Sequence, residues 1–243
     1  MNWETKPEKR PFILGHRGAS ADAPENTLAA FALAREQGAD GIELDVQLTK
    51  DGHIVVFHDQ TVERVTNGVG KVSELTLAEM QSLAMGDEQR VPTLDEVFEM
   101  LGPAFLYNVE LKHFGLGNAE LETAVADRIE AYHLESQIIV SSFNPFAVRR
   151  MRKQISTRTK VAHLWYVKGL KYKFMVSAAE AHHPHYSLVD EAYVQWAHNK
   201  NWMINVWTVD DPNEARRLAR LGVDAIITNK PQFIREQLEL IAS

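Results

Sequence analysis

The sequence predicts an α/β chain folded as a (β/α)8 barrel, a TIM barrel, and three observations carry that expectation. Eight short β-rich runs alternate with helical runs almost from end to end, and strict alternation implies parallel strands joined by helical crossovers. At 243 residues, 45% of them hydrophobic, the chain is long enough for eight such units around one substantial core. Closing the sheet would also remove both exposed edges, although an open doubly wound sheet satisfies the same alternation.

The elements follow in order. FILG (12 to 15) is the first β run, and TLAAFALAREQG leads from it to a helix exit at Gly38. GIELDVQL (41 to 48) is the second. TLDEVFEML, FLYNVEL (105 to 111) and NAELETAVADRIEAY supply the next helix, strand and helix. QIIVSS (137 to 142) precedes NPFAVRRMRKQI, where Asn144-Pro145 is a good helix start. VAHLW (161 to 165) is followed by a weak helical stretch near Gly169 to Ser177, and AEAHH (179 to 183) by LVDEAYVQWAHNK. MINVWTV (203 to 209) leads to DPNEARRLARLG, bounded by Asp211-Pro212 and Gly222. DAIIT (224 to 228) precedes PQFIREQLELIA, in which Ile234, Leu238 and Ile241 fall at i, i+4 and i+7, a stripe suited to packing on a sheet.

One segment breaks the alternation. Asp51-Gly52 sits between two β runs, a strong signal for a two-residue hairpin turn. Such a turn pairs Lys50 with His53, Leu48 with Val55, and Asp45 with His58. Residues 47 to 92 are therefore expected as an insertion over the barrel mouth, within one domain spanning 1 to 243. The segment is too small and too poor in apolar residues for an independent core.

Composition bounds the chemistry. Lys and Arg total 26 against 33 Asp and Glu, a net charge of −7, which argues against a broad nucleic-acid surface. A small anionic substrate would need local positive charge. The absence of cysteine excludes disulfides, thiolate nucleophiles and zinc-thiolate sites. The N-terminus MNWETKPEKRPF lacks the apolar run of a secretory signal, and no apolar segment of 18 residues follows. The expectation is a soluble, cytoplasmic protein without stable membrane association; a homo-oligomer is compatible with the sequence.

Glu43 and Asp45 lie two apart on one strand, so both side chains share a face about 7 Å apart. Two bare carboxylates in a barrel interior would cost several kcal/mol, so a cation is expected between them. Glu110 ends the next barrel strand and supplies a third oxygen ligand. An oxygen-only set favours a hard divalent ion, magnesium or calcium. His16 ends the first strand and the hairpin brings His58 opposite Asp45, so two imidazoles flank this centre and suit acid and base roles. Arg17 and Lys112 are the positive groups an oxyanion would meet, and Gly18 lets the backbone turn away. A phosphodiester suits this set, and a carboxylate could use the same grip.

The run GHRGASADAPENTLAAFALAREQGADGIELDVQLTKDGHIVVFHD resembles the N-terminal signature of glycerophosphodiester phosphodiesterases, and the likeness continues through VPTLDEVF, VELK, SSFNP, VWTVDD and GVDAIITNKP. The resemblance implies a (β/α)8 barrel with a small insertion after the second strand. It implies metal-dependent hydrolysis of glycerophosphodiesters to glycerol 3-phosphate and an alcohol. Glu43, Asp45 and Glu110 would bind the metal, His16 and His58 would be the acid/base pair, and Arg17 and Lys112 would hold phosphate. Phe143 and Trp207 resemble pocket-lining positions that could cover the apolar face of glycerol. Asn26 is expected to organise the first βα loop or cap its helix. Where the family commonly has aspartate and arginine, this chain has Asn229 and Lys230, so no role is assigned to the eighth-strand loop.

Three other readings are open to test. A lysophospholipase D would use the same headgroup chemistry on lysolipids, with RRMRK (149 to 153) near an anionic membrane; the run also reads as a solvated helix face. A phosphodiester-binding protein without turnover would not need both histidines. A glycoside hydrolase predicts paired acids without the phosphate-gripping set. His182, His183 and His185 in AHHPHY read as packing residues, because Pro184 interrupts the strand and the spacing is not a tight ligand set.

Overall fold

The computed structural model describes residues 1–8, 10–86, 89–112, 119–167 and 179–240. Eight parallel strands close into a barrel: β1 (Phe12–His16), β2 (Gly41–Leu48), β6 (Leu106–Leu111), β7 (Ile138–Ser142), β8 (Lys160–Trp165), β9 (Ala181–Pro184), β10 (Met203–Val206) and β11 (Ala225–Thr228). Closure is made by β1, which pairs with β2 on one side (His16 opposite Glu43) and with β11 on the other (Phe12 opposite Ala225). The open sheet is thereby excluded, and all eight expected strands are present. Outside them run α1 (Leu28–Glu36), α3 (Leu94–Leu101), α4 (Glu120–Ala131), α5 (Pro145–Gln154), α6 (Glu191–His198), α7 (Pro212–Leu221) and α8 (Pro231–Glu239). The weak helical stretch near 169 to 177 lies outside the described residues, as does Ile241.

Local chemistry fixes where these helices start. Asn144 and Asp211 accept hydrogen bonds from the backbone N–H of Phe146 and Asn213, with proline next in line at each helix start. Thr93 and Glu96 form a reciprocal capping box at α3. Ile234 and Leu238 of α8 are buried against the sheet, as their spacing required.

The inward faces of the strands change character along the barrel axis. Phe12, Leu14, Leu106, Ile139, Ala162 and Ala225 fill the lower interior together with Trp3, whose indole N–H donates to Gln137 O at 2.8 Å. Two residues further along the same strands come the polar positions, with His16 following Leu14 and Glu110 following Asn108. The dry layer thus ends where the carboxylates begin, at the C-terminal end of the strands. Gly41 is required at the foot of β2, since a Cβ there would lie 2.4 Å from Leu106 O.

Between β2 and α3 the chain forms β3 (Ile54–Val56), α2 (Leu77–Ser82), and the short pair β4 (Ala84–Met85) and β5 (Gln89–Arg90). It returns to the barrel through the Val56 N–H donating to Pro92 O. This segment buries a small cluster, including Val55, Phe57, Val62, Met80 and Met85. Helix α2 is unanticipated, although its capping box, Thr76 with Glu79, was readable in the sequence.

The hairpin register corrects the sequence reading. β3 pairs antiparallel with β2 as Val46 with Val56 and Leu48 with Ile54, one residue away from the expected pairing. Asp45 therefore faces Phe57, not His58, with the Phe57 N–H donating to Asp45 O. The turn holds three residues, not two: Thr49 pairs with His53, the Thr49 hydroxyl accepts from His53 N–H at 3.0 Å, and Gly52 adopts φ 81°.

Candidate active site

At the mouth of the barrel, β1 delivers His16, β2 delivers Glu43 and Asp45, β6 delivers Glu110 with Lys112 just beyond it, and the chain after β3 delivers His58. These groups, with Arg17, Asn108, Phe143 and Trp207, line one cleft of about 360 Å³, apart from Asp45, which lies buried beneath it. Arg17 leaves β1 at φ 55° and Gly18 follows at φ 87°. A Cβ on Gly18 would lie 2.6 Å from the Ala30 backbone, so only glycine lets the loop turn this close to α1. The turned Arg17 N–H donates to the Glu43 side chain at 3.1 Å.

Glu43, Asp45 and Glu110 are all buried and each offers an oxygen within 4.8 Å of the others. Lys112 Nζ lies 2.7 Å from Glu110 and 3.5 Å from Asp45, and Arg17 Nε lies 3.3 Å from Asp45. Two cations face three carboxylates, and the imbalance registers in the acidities. Burial, together with Asp45 and Glu110, holds the Glu43 carboxyl well above its ordinary range. Burial pushes Glu110 up to about 7 against the pull of Lys112, with Asp45 adding to the rise. Burial opposes ionisation of Asp45 too, but Lys112 and Arg17 outweigh it and hold that carboxyl low. A divalent cation among these oxygens would relieve the remaining repulsion, and an all-oxygen donor set fits a hard ion. Among the described residues this is the one such acidic or histidine cluster.

The histidines are held differently. His16 Nδ1 meets Asn229 Oδ1 at 2.8 Å. That amide is oriented by its own Nδ2 donating to Asp210 at 2.6 Å and by the Ser20 hydroxyl donating to its oxygen at 2.7 Å. An amide oxygen only accepts, so His16 carries its proton on Nδ1 and turns Nε2 toward Glu43, 3.8 Å away. His58 Nδ1 instead meets the Asp59 carboxylate at 2.6 Å. Burial depresses the basicity of both rings, with Arg17 adding to the effect at His16 and with Lys112 and Arg17 acting against Asp45 at His58.

The structure brings every site residue named from sequence to this one mouth. His58 arrives despite the shifted register, because the buried Gln47 amide donates to Phe57 O at 2.8 Å and Asp59 O at 2.7 Å and so fixes the backbone on either side. Phe143 and Trp207 stand edge to face, centroids 5.5 Å apart, and the Trp207 indole donates to His183 O at 2.7 Å. Asn26, at φ 58°, does more than shape a loop: its amide donates to Asp45 at 2.9 Å. Thr27, next to it, is the residue that caps α1. The sequence reading missed Asn229, Asp210, Asp59 and Gln47. Only Gln47 carried a signal, the third inward position after Glu43 and Asp45. His182 and His183 are packed as expected, the first against Trp165 and Trp202, the second between Asn108 and Asn205.

Residues 16–233 match the model of the Glycerophosphoryl diester phosphodiesterase family. The chain belongs to that family. A glycerophosphodiester phosphodiesterase of Caldanaerobacter subterraneus subsp. tengcongensis is 40% identical over 235 residues, covering 93% of this chain and 96% of the relative. Among solved structures of family members and phosphodiesterases, one from Oleispira antarctica in complex with the product sn-glycerol-3-phosphate superposes with a TM-score of 0.87 at 28% identity, covering 95% of this chain and 97% of that one. A glycerophosphodiester phosphodiesterase of Thermotoga maritima superposes at 0.79 with 29% identity, covering 95% and 99%. The phosphodiesterase family assignment makes this chain an enzyme, a phosphoric diester hydrolase. No helix among the described residues is long and apolar enough to cross a membrane.

Proposed function

We propose that this phosphodiesterase hydrolyses glycerophosphodiesters to glycerol 3-phosphate and an alcohol, in the cytoplasm, with one divalent cation, Mg2+ or Ca2+. The observation that carries the reading is the cleft itself, where two differently partnered imidazoles and two cations surround a buried three-carboxylate cluster. Glu43, Asp45 and Glu110 would hold the ion, which when bound supplies Lewis-acid charge at the phosphoryl oxygens. Arg17 and Lys112 grip the phosphate, the first as a planar fork and the second as a point charge. Phe143 and Trp207 cover the apolar face of the glycerol and exclude water. The insertion, residues 47 to 92, belongs to the same domain and serves the site by delivering His58.

The partners of the two rings support a division of duties between them. His16, neutral and free at Nε2, is the base. It takes the proton of the glycerol hydroxyl next to the phosphate as that oxygen attacks phosphorus. His58, whose charged form the Asp59 carboxylate stabilises, is the acid. It gives a proton to the departing alcohol as the P–O bond breaks. Water then opens the cyclic phosphate with the roles reversed, His58 taking the water proton and His16 returning one to the glycerol oxygen. Rapid turnover of a deoxy substrate lacking the neighbouring hydroxyl would exclude this route in favour of direct attack by water.

Metal-stripped protein incubated with glycerophosphocholine should release glycerol 3-phosphate, read by a coupled dehydrogenase, only after Mg2+ or Ca2+ is added. His16→Ala and His58→Ala should each lower kcat by about 100-fold or more with the thermal midpoint unchanged. Retention of activity by either variant would overturn the assignment. A lysolipid substrate is the second reading, favoured by exposed Tyr166, whose ring meets Phe143 edge-on at 6.0 Å, and by exposed Val167, the next residue in the chain. Faster turnover of lysolipid micelles than of the water-soluble diester would decide for it.

A further inference from the structure

We propose that Arg64, carried on the insertion, is a positioning residue that orients His58 and Arg17 together. The proposal rests on the phosphodiesterase reading above. Arg64 donates through Nε to Asp59 Oδ2 and through its two terminal nitrogens to Glu25, at 3.0 and 2.7 Å. Each carboxylate passes the contact on. Asp59 Oδ1 holds His58 Nδ1, and Glu25 Oε1 also receives Arg17 Nη1 at 2.8 Å. One guanidinium thus stands between the group assigned to the departing alcohol and a group assigned to the phosphate.

The geometry favours orientation over stability as its role. The Arg64 side chain is 48% exposed, and ion pairs in such surroundings contribute little to folding. A carboxylate with only one partner can rotate, whereas Arg64 takes Oδ2 of Asp59 and leaves Oδ1 aimed at the imidazole. Glu25 receives a forked pair from Arg64, which keeps it in place to hold Arg17 by Nη1 while Asp45 lies against Arg17 Nε. That fixes the plane in which Arg17 presents its remaining donors. The planar fork is what spans two carboxylates on two segments, Glu25 in the loop after β1 and Asp59 on the insertion. A lysine ammonium, a point charge, has no matching geometry.

The test compares kcat and KM of the wild type, Arg64→Lys and Arg64→Ala on two diesters, glycerophosphocholine and glycerophospho-p-nitrophenol. A nitrophenolate leaves without help from an acid. If Arg64 acts through His58, Arg64→Ala should lower kcat on the choline diester by about tenfold to 100-fold, and should slow release of nitrophenolate in the first turnover, before water opens the cyclic phosphate, by less than about threefold. If it also acts through Arg17, KM should rise several-fold on both. Arg64→Lys should recover only part of either loss, and the thermal midpoint should not move. A loss in first-turnover nitrophenolate release equal to the loss in kcat on the choline diester, or kcat and KM within twofold of wild type, would overturn the proposal. So would a crystal structure of Arg64→Ala in which Asp59, His58 and Arg17 keep their places. That structure decides the matter even if the wild type hydrolyses neither diester, an outcome that would overturn the substrate reading instead.

Discussion

At the scale of single residues, His16 owes its tautomer to an amide far away in the chain. Asn229 Oδ1 accepts from the ring, and Asp210 and Ser20 prevent that amide from turning over. Asn229→Ala should lower kcat about tenfold through loss of a defined tautomer, with KM little changed. An unaltered kcat would mean that β1 alone holds the ring. The same residues mark the limit of what the chain discloses before folding. Glu43 and Asp45 declared themselves because two-residue spacing on a strand fixes a shared face, and Glu110 because strand ends meet in a ring. Asn229 gave no sign, since its partner is 213 positions away and an amide in a loop has many uses. Asp59 sits beside His58, yet neighbours on an extended chain point apart; here Gln47 bonds the backbone at Phe57 and Asp59, and the two side chains meet.

At the scale of elements, the regular βα units were legible and the hairpin was only half so. Periodicity and capping residues place a strand and its helix without reference to the rest of the fold. A hairpin register depends instead on turn length, and Asp51-Gly52 serves two-residue and three-residue turns alike. Here the Thr49 hydroxyl, bonded to Asp51 at 2.7 Å and to the His53 N–H, selects the longer one. Gly52 sits at φ 81°, and a Cβ placed on it would meet no atom within 4 Å, so its requirement is purely one of backbone conformation. Gly52→Ala should therefore cost about 1 kcal/mol of unfolding free energy and Gly52→Asn less, because asparagine tolerates the left-handed region. Urea denaturation measures both; a larger loss for asparagine than for alanine would show that the turn is limited by space instead.

At the scale of the whole molecule, the acidic cluster couples stability to pH, and to metal if it holds the proposed ion. In the metal-free protein Glu110 is pushed up to about 7 by burial, Lys112 opposing and Asp45 assisting, from an ordinary value of 4.5. Between those values this carboxyl keeps a proton in the folded chain that it has released in the unfolded one, so its own contribution to stability falls as pH rises. Asp45 works in the other direction, but its contribution is lost only as pH drops below its ordinary value of 3.8. The buried histidines act in the opposite sense below about pH 6.5, because burial lowers His163 to about 4 and His182 and His183 to about 3. They outnumber the raised carboxyls, so thermal midpoints of metal-free protein should rise from about pH 5 to about pH 6.5, with the Glu110 contribution fully lost only near pH 7 and above. Added Mg2+ or Ca2+ should raise them most at the upper end. A metal-induced shift that is larger at the acidic end would contradict the cluster as the binding site.

Ring closure has a consequence for how the protein is made. The first strand cannot complete its pairing until β11 has been synthesised, because Phe12 to Gly15 lie against Ala225 to Thr228. On the ribosome, the emerging chain therefore carries an unpaired strand border at each side of a growing sheet until β11 appears, and such borders invite intermolecular association. Nascent molecules are consequently in greatest need of chaperone shelter just before the barrel seals.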